Sequence, residues 1–514
     1  MKKFFVSNPL LSIIIISSLI RCIIGNFVEL GNDEVYYWTY ALRLDASYFD
    51  HPPLIAYLIR SSTFNLQFNQ EIFVRLVAII GSAFNTWLIY KITFLIKNKR
   101  AGLYAALLYT SSFYTSIICG LFILPDSPQV VFWLLSIYLM IKIFILKTEK
   151  KSAIIFLGIT IGFCALSKIS GLYLWFAAGL FILFFDRKQL SNAYLWLSIA
   201  ITLIIISPVL YWNIQNHFIT YTYQSGRLST VNGISFSSFF AELLGEIFYH
   251  NPINYFLYAS VIIITAFYSP LIKNRKLHAL LLLLSLPIII LFWLISFFNN
   301  ILPHWSGPGF IALIILTAYY LDEIYSIKKT YVYLSVANLF ILIIVIAGFF
   351  CINYLPVQFG SKKISDLGAN DFTLDMYGWK KFSSEFDSLY SADLKNGIMK
   401  NNAVIISNKW FPASHIYYYV AYPNKIKLYA AGALFDIHNY AWLNKLNGNL
   451  ELGTDAYFIS PSNYNVDAMK VYKNNFDEIS DQIIFSQYRG GKMVRQFNIY
   501  RMKNYKGGLN LSVQ

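Results

Sequence analysis

The sequence predicts an all-helical polytopic membrane protein with a small α/β domain after its last span. Three observations carry this: long apolar runs recur up to about residue 355, basic residues sit in the short connectors between them, and from about Pro356 the composition turns water-soluble. Hydrophobic side chains make up 57% of the 514 residues and charged ones 13%, and the mean hydropathy is +0.52. One soluble core of this length cannot hide so much apolar surface, so lipid must cover the rest.

A crossing helix needs about 20 mostly apolar residues at about 1.5 Å each. That ruler gives about eleven spans, near residues 8–25, 72–96, 101–119, 127–146, 152–168, 171–185, 193–212, 254–272, 278–298, 307–322 and 331–354. The basic connectors hold Lys2 and Lys3; Lys97, Lys99 and Arg100; Lys147, Lys150 and Lys151; Arg187 and Lys188; Lys273, Arg275 and Lys276; and Lys328 and Lys329. A cytoplasmic N-terminus places all of them inside, as the positive-inside rule requires. The loops 26–71, 119–127, 213–253 and 299–306 then lie outside with the C-terminal domain, which predicts a multi-pass inner-membrane protein.

The net charge of +15 is explained by this orientation, and connectors so short offer no duplex-sized basic face, which excludes a nucleic-acid partner. Cys22, Cys119, Cys164 and Cys351 lie in or beside apolar runs without metal-type spacing, so neither a disulfide framework nor a zinc site is expected. Arg21 and Cys22 stand where a signal peptide would carry a small-residue cleavage site, so the first apolar run reads as an uncleaved span. The domain boundaries expected are 1–355 and 356–514. In the second, residues 403–407, 426–430, 456–459 and 496–502 read as strands, and 379–390 and 414–421 as helices.

The outer segments hold the candidate chemistry. Asp33 and Glu34 follow Gly31 and Asn32, where a helix can begin and its dipole favours carboxylates. Asp50 or His51 can likewise start a helix before Pro52 and Pro53. Capping needs one acceptor per helix, however, and this loop brings several carboxylates and an imidazole to the water-membrane boundary. Asp126, in LPDSPQ, adds another carboxylate or a cap for the next span. Lys168 is the cation that breaks the positive-inside pattern: either it snorkels to the interface, or it meets an anion such as a phosphate. Trp212, Asn213, Arg227, His250, His304 and Trp305 complete the outer set, as interface anchors or as an aromatic wall with polar groups for a sugar ring.

The runs NDEVYYW, YFDHPPLIAYLIR, LPDSP, ALSKISGL, YWNIQNHF and HWSGPGF, in that order, resemble the bacterial protein mannosyltransferase-like family. That group has the multi-span C-type glycosyltransferase fold and includes the aminoarabinose transferases of lipid A. The GW pair at Gly378 and Trp379, the stretch NKWFPASHIYYYVAYPNKIKLY and the closing RQFNIYRM extend the likeness into the soluble domain. The resemblance implies inverting transfer of a single sugar from a polyprenyl-phosphate donor to a lipid A, glycan or protein acceptor on the periplasmic side. By motif position, Asp33 resembles the family's first-loop catalytic aspartate, with Glu34 beside it, and Asp126 its second-loop partner. Tyr37, His51, Lys168, Trp212, Asn213, Arg227, His304 and Trp305 are the expected substrate-binding residues. Asp50 falls where related enzymes can hold a divalent metal, with His250 as second ligand by position alone. Tyr36 and His51 replace an arginine and a lysine of the aminoarabinose branch. Both changes remove a fixed positive charge and point away from an aminoarabinose donor. A transporter or flippase would share this topology, but such proteins usually carry ionisable groups or broken helices near the midplane, and here the charges gather outside.

Overall fold

The computed structural model describes residues 8–147, 151–228, 233–267, 270 and 272–511; Lys2, Lys3 and Lys150 of the basic pattern lie outside them. The chain folds as two compact units, 1–23 with 45–345 and 24–44 with 346–514.

The first unit is helical. Among the described residues, seven helices are long and apolar enough to cross a membrane: Pro9–Phe27, Glu71–Ile96, Asp126–Leu146, Ala193–Gln215, Arg275–Ser296, Gly307–Ile324 and Ile327–Asn353. Lys151–Ser167, Ile169–Phe185 and Pro252–Phe267 are apolar but shorter. The run expected near 101–119 is divided into a helix, Lys99–Ser111, and a π-helical turn, Tyr114–Ile118. The chain is thus a multi-pass membrane protein by helix length and composition, and eleven crossings would require the short and divided helices to cross too. Helix Gly307–Ile324 is central: 83% of its apolar window is buried, against 11% for Ile327–Asn353 at the periphery. Gly307, Gly309, Ala312 and Ala318 keep its surface narrow enough for neighbours to close around it.

Three basic connectors meet at one end of this unit. Lys97 and Lys273 pair with Glu323, and Arg100 pairs with Asp322, which also accepts from Asn98 at 2.6 Å. These are loops that the charge pattern assigns to a single membrane face.

The second unit contains a six-stranded sheet. Strands β1 (Val404–Ser407), β2 (Leu428–Ala430), β3 (Ala456–Pro461), β4 (Phe476–Ile479), β5 (Ile483–Arg489) and β6 (Lys492–Tyr505) run in the order β2-β1-β3-β6-β4, with β5 also on β6. β1 is parallel to β2 and β3, whereas β6 is antiparallel to β3, β4 and β5. Gly490 and Gly491, at φ +55° and +81°, make the tight turn between β5 and β6 that most other residues resist. The four expected strands are present; β4 and β5 are additional. The expected helices also form, as Trp379–Lys395 and as Trp410–Ile416 continued by a π-helical turn, Tyr417–Ala421.

A boundary at residue 355 leaves out one part of this unit: Ile24–Leu44 folds with the C-terminal residues. The Glu29 carboxylate accepts from the backbone N–H groups of Trp379 and Lys380 at 2.7 and 3.0 Å, at the start of helix Trp379–Lys395. Leu30 N–H donates to the Tyr419 hydroxyl at 2.8 Å, and Arg43 to the Trp442 carbonyl at 3.2 Å. Trp38 stands edge-on to Tyr418 and Tyr422, 4.9 and 5.0 Å away between centroids. Helix Asn32–Leu42 is therefore bound by an aromatic core rather than hung as a loop.

Candidate functional site

In the first unit, Asp126 and Lys168 form an ion pair. Lys168 Nζ donates to both carboxylate oxygens of Asp126, at 3.1 and 3.0 Å, with side chains 15% and 3% exposed. The anion that Lys168 requires is thus supplied from LPDSP. Local chemistry holds both ends. Ser127 Oγ donates to the Phe122 carbonyl at 2.7 Å and accepts from Leu124 N–H at 3.2 Å, fixing the loop ahead of Asp126. Gln129 Nε2 donates to Ser170 Oγ at 2.8 Å, tying that helix to the turn after Lys168. A Cβ on Gly171 would lie 2.6 Å from the Cys164 carbonyl carbon, so the ALSKISGL turn folds back only with glycine there.

The Tyr114 hydroxyl donates to Asp126 Oδ1 at 3.3 Å. A Cβ on Gly307 would come within 2.4 Å of the Tyr114 ring, so the first glycine of HWSGPGF clears the space from which Tyr114 reaches Asp126. Sequence reasoning missed Tyr114; a tyrosine within an apolar run gives no signal by itself.

The YFDHPP loop is pinned to helix Ile219–Gly226. Thr220 Oγ1 donates to the Tyr48 carbonyl at 2.9 Å, Gln224 Nε2 to the Asp50 carbonyl at 2.8 Å, and the Phe49 and Tyr223 rings lie 4.8 Å apart. Arg227 follows that helix directly and lies over the Trp305 ring, 4.5 Å from its centroid. Burial, followed by the charges of Lys168 and Arg227, lowers the His51 pKa to about 3 despite the pull of Asp126. Burial also lowers His304 to about 4, with Asp126 pulling upward and Lys168 and Arg227 downward. Both imidazoles are therefore neutral at pH 7, and the charges that act on them include those of Lys168, Arg227 and Asp126.

Other candidates have more ordinary roles. Asn213, fully buried, donates to the Val209 carbonyl of its own helix at 3.0 Å, and Trp212 is buried in that helix. His250 lies against Phe310, 3.7 Å between centroids, with neither ring nitrogen hydrogen-bonded among the described residues, and burial lowers its pKa to about 3. No group of three His, Cys, Asp or Glu side chains able to hold a metal occurs among the described residues. The donor set of Asp50 and His250 therefore does not fit a metal centre here, and no step below passes through one.

Asp33, Glu34 and Tyr37 belong to the second unit. Glu34 is buried and accepts from Gly31 N–H at 3.0 Å, capping its own helix, whereas Asp33 is exposed in the same first turn. Tyr37 is buried against Tyr36 and Tyr40, 5.6 and 5.5 Å away between centroids. Asp375 was not foreseen. Burial raises its pKa to about 7, with the Asn32 side chain and Arg495 pulling downward and Asp33 and Asp371 upward. Arg495 is itself buried, lies over the Trp379 ring, and donates to the Leu374 carbonyl at 3.0 Å, holding the segment that carries Asp375.

This raised value fixes the sign of a pH effect. The stability that neutral Asp375 contributes is fully present below the ordinary carboxylate pKa of 3.8 and is lost as pH rises through about 7. Asp375→Asn, permanently neutral, should therefore melt above wild type at pH 8 and close to it at pH 4. Thermal unfolding at both values checks this; a variant less stable at pH 8 would contradict the assignment.

Comparison with known proteins bears out the family resemblance. Residues 50–212 match the family described as dolichyl-phosphate-mannose-protein mannosyltransferase. A lipid A galacturonosyltransferase, RgtD of Rhizobium johnstonii, is 22% identical over 320 residues, covering 59% of this chain and 63% of the relative. The chain thus spans less than two thirds of that relative's length. The fold is that of ArnT from Cupriavidus metallidurans, whose undecaprenyl-phosphate-bound crystal structure superposes with a TM-score of 0.64 at 12% identity, over 96% of this chain and 98% of that one. An Archaeoglobus fulgidus oligosaccharyltransferase tethered to an acceptor peptide superposes with a TM-score of 0.51 at 13% identity, over 99% of this chain and 75% of that one.

Proposed function

We propose that the chain is an inverting glycosyltransferase that moves one sugar from a polyprenyl-phosphate carrier to an envelope acceptor, on the periplasmic side of a bacterial inner membrane. One observation carries this reading: in the first unit, Lys168, paired with Asp126, and Arg227 both act on two imidazoles that burial holds neutral. Cations gathered in partly buried surroundings suit a departing phosphate. A carboxylate opposed to a lysine, as Asp126 is, directs the ammonium rather than acting as a free base. N–H groups of the neutral imidazoles add donors without adding repulsion between cations.

In the proposed displacement an acceptor hydroxyl attacks the anomeric carbon, the bond to the carrier phosphate breaks, and the hydroxyl proton passes to a base. Asp33 is the base by motif position, and its carboxylate is exposed in the first turn of its helix. Lys168, Arg227 and His51 receive the charge that develops on the leaving phosphate. The relative whose name makes it a lipid A galacturonosyltransferase supports a lipid-anchored envelope acceptor such as lipid A or another lipopolysaccharide component.

Mass spectrometry of envelope glycolipids and glycoproteins, from cells with and without the gene, tests the proposal. One species should lose a single sugar when the gene is removed. Unchanged glycans, with the protein present at normal level in the control, would contradict it.

A further inference from the structure

Away from the Asp126 cluster, the first unit buries a second cation in the membrane region. Arg21 lies on helix Pro9–Phe27 and is only 3% exposed. Its Nε donates to the Ser116 carbonyl at 3.0 Å and one terminal nitrogen to Ser116 Oγ at 3.2 Å, both on a neutral residue. The other terminal nitrogen, Nη1, has no acceptor among the described residues. A buried guanidinium without a carboxylate is costly, and removing it from water demands an anion as partner.

Arg21 lines a cavity of about 300 Å³ between helices Pro9–Phe27, Lys99–Ser111 and Ile327–Asn353. The other polar groups there are already engaged: Thr110 donates to Asn338 Oδ1 at 3.2 Å, and Asn338 Nδ2 donates to the Leu334 carbonyl at 2.8 Å. Arg21 is thus the lining group with unmet bonding. Ile16 and Leu342, which also line the cavity, are 52% and 36% exposed, so its rim faces the lipid side of the unit. Arg21 stands six residues before the helix end at Phe27, about 9 Å at about 1.5 Å per residue. That depth is within reach of a phospholipid head whose tails run toward the bilayer centre.

We infer that this groove binds one anionic glycerophospholipid, its phosphodiester oxygens on Arg21 and its acyl chains along Ile16 and Leu342. Charge complementarity decides the occupant, because a zwitterionic head brings its own cation to a site that already holds one. Guanidinium matches two phosphate oxygens at once, where an ammonium would offer a single point of charge. The bound lipid braces the turn Tyr114–Ile118 through Ser116, two residues from Tyr114, whose hydroxyl bonds Asp126. The lipid site stands whether or not the chain transfers sugar.

Native mass spectrometry of the full chain in detergent, titrated with phosphatidylglycerol or phosphatidylcholine of identical chains, tests the inference. Wild type should retain one phosphatidylglycerol at about tenfold lower lipid concentration than phosphatidylcholine, a difference of about 1.4 kcal/mol. Arg21→Gln should abolish the preference and Arg21→Lys should keep part of it. Should Arg21→Gln fail to fold, Ile16→Trp fills the groove from its exposed rim and should lose the lipid with the fold intact. Equal retention of the two lipids by wild type would overturn the assignment. So would an undiminished preference in Arg21→Gln or Ile16→Trp, or exchange of the bound lipid for undecaprenyl phosphate at equal concentration.

Discussion

Lys168→Met should lower sugar transfer by about 10²–10³-fold, the usual cost of removing one preorganised donor from a developing negative charge. The loss should appear in turnover and in the requirement for donor lipid, with the requirement for acceptor unchanged. The substitution also leaves the buried Asp126 carboxylate without its ammonium, and breaking one side of such a pair costs about 3–5 kcal/mol of stability. A melting measurement alone would therefore confuse packing with chemistry. The double substitution Asp126→Asn with Lys168→Met separates them: with no unpaired charge left, the protein should recover most of its melting temperature and none of its activity. A double variant that regains transfer would make the pair structural.

Asp33→Asn should reduce transfer by about 10²–10⁴-fold, the range for losing a positioned general base, with the protein still in the membrane at normal level. Stability should hardly change, because Asp33 is exposed while Glu34 makes the capping bond to Gly31. Glu34→Gln offers the contrast, since the amide weakens a buried cap and should lower melting temperature more than turnover. Radiolabelled sugar transfer in membranes, alongside quantification of the protein, reads both variants. Wild-type turnover in Asp33→Asn would remove that residue from the chemistry.

The sequence made some of these features readable and hid others for physical reasons. Hydrophobic periodicity and loop charge are local properties, so the seven long apolar helices were readable from them, whereas the pairing of Lys97, Arg100 and Lys273 with Asp322 and Glu323, far along the chain, was not. Lys168 announced its need for an anion because a cation at that depth is costly, and Asp126 answers it. The partner of helix Asn32–Leu42 was not readable: an aromatic face declares that it will be buried, never by which of several distant segments. Tyr114 and Asp375 were hidden for a related reason, since only the way the chain folds back gives a tyrosine a carboxylate to hold, or buries a carboxylate and raises its pKa. β4, written Phe-Asp-Glu-Ile, lacks the apolar content that reveals a strand and is held by pairing with the long β6. Trp212 and Asn213, which residue type suggested for a sugar wall, are buried within their helix, where Asn213 donates to the Val209 carbonyl.

The direct measurement is equilibrium binding of undecaprenyl phosphate and of undecaprenol, the same chain without phosphate, to wild type and to the Asp126→Asn, Lys168→Met, Arg227→Gln triple variant. Wild type should prefer the phosphate by tenfold or more, and the variant should bind both lipids alike. Equal affinity of wild type for the two lipids, or a preference that survives in the variant, would show that these cations serve some other purpose.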